Sequence, residues 1–158
     1  MKKVPTRLTI RALSSDAKII GSLVGGCRVK ITHRISGEVL SEGLHLGGSG
    51  SSRTIMEEPR KRGATVFDTQ GTAAFHATLD LEKPTPVKIS VEGPLAYPQA
   101  IQESSTTTWL LPGQHLEGEG LVLTLYGFIV DILSPLTLGV AELRSRSKVH
   151  LEAGVFLL

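Results

Sequence analysis

The chain has 158 residues, 41% of them apolar and only 4% aromatic, with 17 Lys+Arg against 15 Asp+Glu, 17 glycines and 8 prolines. That length makes one domain, residues 1–158, able to bury a core of its own, and the apolar share excludes a disordered chain. A lone cysteine, Cys27, excludes both an internal disulfide framework and a multi-thiolate metal site.

The first residues, Met1-Lys2-Lys3-Val4-Pro5, lead into Leu8-Thr9-Ile10-Arg11, whose charge interrupts any signal-peptide core. No run reaches the roughly 20 uncharged apolar residues of a spanning helix, and the nearest, Leu121 to Leu133, contains Asp131 and stops at Ser134-Pro135. The expectation is a soluble, cytoplasmic protein with no membrane insertion. Residues 1 to 62 carry 12 basic and 5 acidic side chains, an excess that invites a nucleic-acid reading. Single-strand binders also present aromatic stacking platforms, and residues 1 to 66 contain no aromatic, so no nucleic-acid partner is expected.

Hydrophobic period is two almost throughout. Leu8, Ile10 and Ala12 alternate with Thr9 and Arg11, and Cys27, Val29 and Ile31 alternate with Arg28, Lys30 and Thr32. The same pattern predicts strands at Phe75, Ala77, Leu79 and Leu81 and at Val87, Ile89 and Val91. Turn formers separate them at Ser36-Gly37, Lys83-Pro84 and Gly93-Pro94, at the intervals of an antiparallel sandwich or barrel. Cys27 falls on an inward face and reads as core. A long loop interrupts the rhythm at about 46–66, opening on Gly47-Gly48-Ser49-Gly50-Ser51-Ser52. It holds the one helical candidate, a single turn at Thr54 to Glu58 stopped by Pro59.

After residue 120 the composition changes: 22 of 38 residues are apolar, against 42 of the 120 before them. Leu121 to Tyr126 and Phe128 to Leu133 are apolar on both faces, as strands covered on both sides are. Leu136 to Leu143 and Val149 to Leu158 are the candidate cover. Val155, Phe156, Leu157 and Leu158 are predicted either to pair in the sheet or to form an interface with another subunit.

Gly26-Cys27-Arg28-Val29-Lys30-Ile31, Ser36-Gly37-Glu38-Val39-Leu40, Asp68-Thr69-Gln70-Gly71 ahead of Phe75, and Val87 through Gly93 resemble the carboxypeptidase regulatory-like, or prealbumin-like (transthyretin-like), β-sandwich family. The resemblance covers about residues 20 to 95. It implies an all-β, Greek-key antiparallel β-sandwich, here with extra C-terminal strands, in which Asp68 and Gly71 shape a turn and Phe75 plugs the sandwich. The insertion at about 46–66 and everything after Pro94 depart from the family pattern. The enzymatic branch of prealbumin-like proteins hydrolyses a urate-derived substrate and ends in Tyr-Arg-Gly-Ser. This chain ends Val-Phe-Leu-Leu, so the resemblance implies binding and assembly rather than catalysis.

Five histidines are the first candidates for chemistry. His33, His45, His76, His115 and His150 show no local metal spacing, and His76 and His150 read as outward-facing. His45, beside the glycine-rich loop, and His115, in Pro112-Gly113-Gln114-His115, fall on predicted loops, where an acid-base or metal site with Asp68 would be sought first. Arg53 after the glycine run suggests an anion cradle, but the Gly-Lys-Ser/Thr ending of a phosphate loop is missing. Trp109, the one tryptophan, either packs in the core beside Leu110 and Leu111 or forms an exposed platform with Tyr97 for a sugar ring. No Gly-x-Ser-x-Gly elbow is present. The leading expectation is therefore a non-enzymatic assembly or accessory subunit, homo-oligomeric or bound to a partner protein, without a cofactor. The alternatives are a small metal-dependent or hydrolytic enzyme using the loop histidines and a carbohydrate-binding module using Trp109 and Tyr97.

Overall fold

The computed structural model describes residues 2–132 and 153–157. Its strands are β1 (Val4–Ser14), β2 (Cys27–His33), β3 (Val39–His45), β4 (Phe75–Leu81), β5 (Thr85–Gly93), β6 (Gln102–Leu110), β7 (Leu116–Leu125), β8 (Phe128–Ile132) and β9 (Ala153–Leu157). A three-stranded sheet in the order β4-β1-β7 faces a four-stranded sheet in the order β3-β2-β5-β6, and β8 and β9 form a separate two-stranded ribbon. The architecture is an all-β sandwich with additional C-terminal strands, as the alternation predicts.

Each period-two segment puts its apolar set inside. Leu8, Ile10 and Ala12 from β1, Phe75, Ala77, Leu79 and Leu81 from β4 and Leu123 and Leu125 from β7 meet Cys27, Val29 and Ile31 from β2 and Val87, Ile89 and Val91 from β5. Full burial of such side chains stabilises by roughly 1.5 to 3 kcal/mol each, which makes this interior the main source of stability. Cys27 is part of it, and burial pushes its thiol up to about 12. Phe75 is buried there too.

Among the described strands, pairing is antiparallel except between β1 and β7, which run parallel. That parallel pair arises because the chain crosses to the other sheet and builds β2, β3, β5 and β6 before β7 returns beside β1. The β1–β7 register jumps from Leu8 opposite Leu116 to Ile10 opposite Leu121, so residues 117–120 of β7 bulge from the ladder. Gly118 and Gly120 lie there at φ of 73° and 69°, a backbone region open to glycine.

The segment at about 46–66 is more than a connection. Ile55 from the one-turn helix Arg53–Glu57, with Val66, Phe67, Ala73 and Ile19, makes a second apolar cluster against Leu13 and Val122. Val122 therefore has cover on the outer side of β7, while Leu123 and Leu125 face the main core. The turn here spans Thr69–Thr72, closed by the Thr72 N–H donating to the Thr69 carbonyl at 3.0 Å with Gly71 at φ 81°, and Asp68 stands just ahead of it.

In the ribbon, β8 and β9 pair antiparallel, with Val155, Phe156 and Leu157 opposite Val130, Ile129 and Phe128. Ile129 is fully buried with Ala100, flanked by Val24 and Tyr97. Leu158, His150 and the candidate cover at 136–143 lie outside the described residues.

Candidate functional site

His45 is the last residue of β3, opposite Cys27, and not a loop residue. The extra pairing carries its ring inward, where it is fully buried. Its Nε2 accepts the Ala12 N–H at 3.2 Å. An accepting Nε2 requires the ring proton on Nδ1, and Nδ1 has no hydrogen-bond partner. Desolvation, followed by the nearby Arg11 charge, lowers the His45 pKa to about 4; the carbonyls of Ala73, His45 and Ile20 oppose the shift. His45 is thus a neutral, water-excluded acceptor that ties β3 to β1 across the sandwich, a structural role and not that of a general base.

Arg11 lies on the outer side of β1 and is nevertheless buried. Its Nε donates to the Glu119 carbonyl at 3.2 Å, Nη2 to the Gly118 carbonyl at 3.1 Å, and Nη1 to the carbonyls of Ala73 at 2.9 Å and Thr72 at 3.4 Å. Burial lowers its pKa, while the charges of Asp68 and Glu119 raise it. The guanidinium is consumed by main-chain carbonyls of the β7 bulge and of the segment entering β4. Glu119 completes the clamp, its Oε2 accepting the Val66 N–H at 3.1 Å.

His115 is an exposed turn residue whose Nδ1 accepts the Arg7 N–H at 3.1 Å. Beside it Arg7 and Glu117 form a two-pronged ion pair, Nε to Oε1 at 2.8 Å and Nη2 to Oε2 at 3.0 Å. The hydrogen bond from Arg7 pulls the Glu117 carboxyl below its ordinary range. His76 is exposed on β4, with Nδ1 3.1 Å from the Thr9 hydroxyl. His45 is fully buried and His115 exposed, and the structure does not gather them into one site. Among the described residues, no three His, Cys, Asp or Glu side chains converge where a metal ion could be held.

The anion cradle around Arg53 does not form. The Gly47 N–H donates to the Ser22 hydroxyl and the Gly48 N–H to the Gly71 carbonyl, so the glycine run spends these donors internally. Arg53 turns to Glu58 instead, 2.9 Å from its carboxylate.

Trp109 is 60% exposed, so of its two readings the core one does not hold. The alternation of β6 sends Leu110 into the interior and Trp109 outward, beside its cross-strand partner Pro86. Tyr97, four residues beyond the other end of β5, is half-buried beside Ile129 and Ala100. At about 3.4 Å per residue along β5, the two rings are separated by roughly 25 Å, so they do not share a platform. Trp109 instead shares its face with Thr107, opposite Lys88, and with Ser105, opposite Ser90.

Comparison with known proteins gives no match to any family model, any curated protein or any solved structure.

Proposed function

We propose that this chain is a non-enzymatic assembly or accessory module whose β-sandwich acts through protein–protein contacts at the β6 edge, with a second copy or a partner subunit. One observation carries the reading. β6 runs nine residues without a register shift against β5, and its other edge has no strand partner among the described residues. Such an edge is a template for strand addition unless it is guarded by bulges, prolines or lysines. β6, Gln102-Glu103-Ser104-Ser105-Thr106-Thr107-Thr108-Trp109-Leu110, has none of these, carries Glu103 as its one charge, and exposes Trp109 one residue before its end. Of the other sandwich edges, β7 carries a glycine bulge and β3 a register shift, while β4 is as regular as β6 but two residues shorter. A prealbumin-like sandwich used for assembly agrees with this, and Val155, Phe156, Leu157 and Leu158 add a candidate second contact.

The test is sedimentation of the wild type at micromolar concentration beside a Thr107→Lys/Trp109→Lys variant, with amide exchange read along β6. Association and slow β6 exchange in the wild type, both lost in the variant, are expected. A monomeric wild type whose β6 amides exchange as fast as those of the variant refutes self-association through this edge. Exposure of Trp109 beside the Thr107 hydroxyl and the Lys88 ammonium also favours a second reading, a carbohydrate-binding face. Saturable quenching of Trp109 fluorescence by a soluble saccharide would select it.

A further inference from the structure

A groove of about 410 Å³ lies between the Ala17–Val24 turn and the glycine-rich segment at Gly47, Gly48 and Ser49, with Met56 reaching in from the one-turn helix. We propose that it binds a free medium-chain fatty carboxylate, the hydrocarbon lying along the groove and the carboxylate on Lys18.

Three features lead to this occupant. Main-chain polar groups of the two walls are partly spent on each other: the Ser22 N–H donates to the Gly47 carbonyl at 2.8 Å and the Ile19 N–H to the Ser49 carbonyl at 3.2 Å. What remains for a ligand is hydrocarbon, above all Leu23, which is 98% exposed at the lip, and Met56, half exposed. The volume falls within the range of small-ligand pockets, about 300 to 1,000 Å³. Counting a methylene at roughly the 30 Å³ of a water molecule, it admits a chain on the order of ten heavy atoms.

Charge decides the head group. Lys18 is the one ionisable residue among those lining the groove, and its Nζ donates to the Ser52 hydroxyl at 2.9 Å. No carboxylate lies within ion-pair distance of it among the described residues. A hydrocarbon trough with one cation at its rim complements an apolar chain with one negative end. A membrane surface would call for a cluster of cations around the groove.

The experiment is calorimetric titration with decanoate, decan-1-ol and decyltrimethylammonium. Wild-type protein should bind one decanoate saturably and prefer it to the ammonium. Lys18→Gln should weaken decanoate about tenfold, the worth of one charged hydrogen bond, and leave decan-1-ol unchanged. Leu23→Asp, at a side chain that packs against nothing, should weaken both ligands without lowering the melting temperature. Absence of saturable decanoate binding, equal affinity in Lys18→Gln, or equal binding of the ammonium overturns the proposal. Phosphatidylglycerol vesicles that bind protein showing no decanoate heat would assign the groove to a membrane surface instead. Sedimentation of the same samples reports on the β6 edge separately, so either reading can fail without the other.

Discussion

Acid should destabilise this sandwich through His45 before its carboxylates titrate. The folded ring titrates at about 4 against 6.5 for an ordinary histidine. Because the folded value is depressed, the unfolded chain takes up a proton that the native state refuses between those two values. Stability is therefore fully present above the unfolded value and is lost as pH falls toward the folded one. From pH 7 to pH 5 the linkage integral comes to about 2 kcal/mol, and to about 3 kcal/mol over the whole window. The physical cause is plain: protonating Nε2 removes the acceptor of the Ala12 N–H and places a second cation beside Arg11 in a buried site. Urea midpoints measured between pH 7 and 5 for the wild type and His45→Gln would check it. The amide oxygen of glutamine can accept the same N–H but does not titrate, so the variant should start somewhat less stable and show a flatter slope. Equal slopes in the two proteins would refute the assignment, since every other titrating group is common to both.

Two further outcomes follow from the outer layer. Gly120→Ala should cost well over 2 kcal/mol, because it combines a positive φ with a collision against the Thr9 carbonyl oxygen. Gly118→Ala, with open space around it, should cost only the roughly 1 to 2 kcal/mol of the left-handed conformation; thermal melts would separate the two. Ile55→Ala should lower stability by about 2 to 4 kcal/mol in urea unfolding, as for a core side chain, whereas a residue in a free loop would show almost no change.

Legibility in the sequence tracked how each strand is covered. β1, β2, β4 and β5 each bury one face in the common interior, so Leu8, Val29, Ala77 and Ile89 recur at the period that reports a half-buried strand. β6 carries no clear period because it is an edge with Ser and Thr on both faces; only Leu110 enters the core, and the large apolar ring of Trp109 next to it suits that place as well. His45 reads as a loop residue because glycines follow it at once. Its signal was the alternation itself, since Gly43 and His45 share one face of β3 while Leu44 and Leu46 point out and are exposed. In the long segment the apolar residues are too sparse for any period: Ile55, Val66 and Phe67 meet only in three dimensions.

The same residues explain why the insertion belongs to the fold. A charged side chain on an outer sheet face normally remains in water, and burying one without compensation costs several kcal/mol. Arg11 is buried because it meets carbonyl oxygens of the β7 bulge on one side and of Thr72 and Ala73 on the other. Neither set alone satisfies a planar group with five donors. The bulge exists because glycines at 118 and 120 let the backbone turn its carbonyls toward the guanidinium, and the long segment has to cover it for the remaining donors to be used. Glu119 then holds the Val66 N–H, placing Val66 and Phe67 over Val122. β1, the β7 bulge and the covering segment therefore form one cooperative unit, in which the apolar cluster supplies burial and Arg11 fixes where the cover sits.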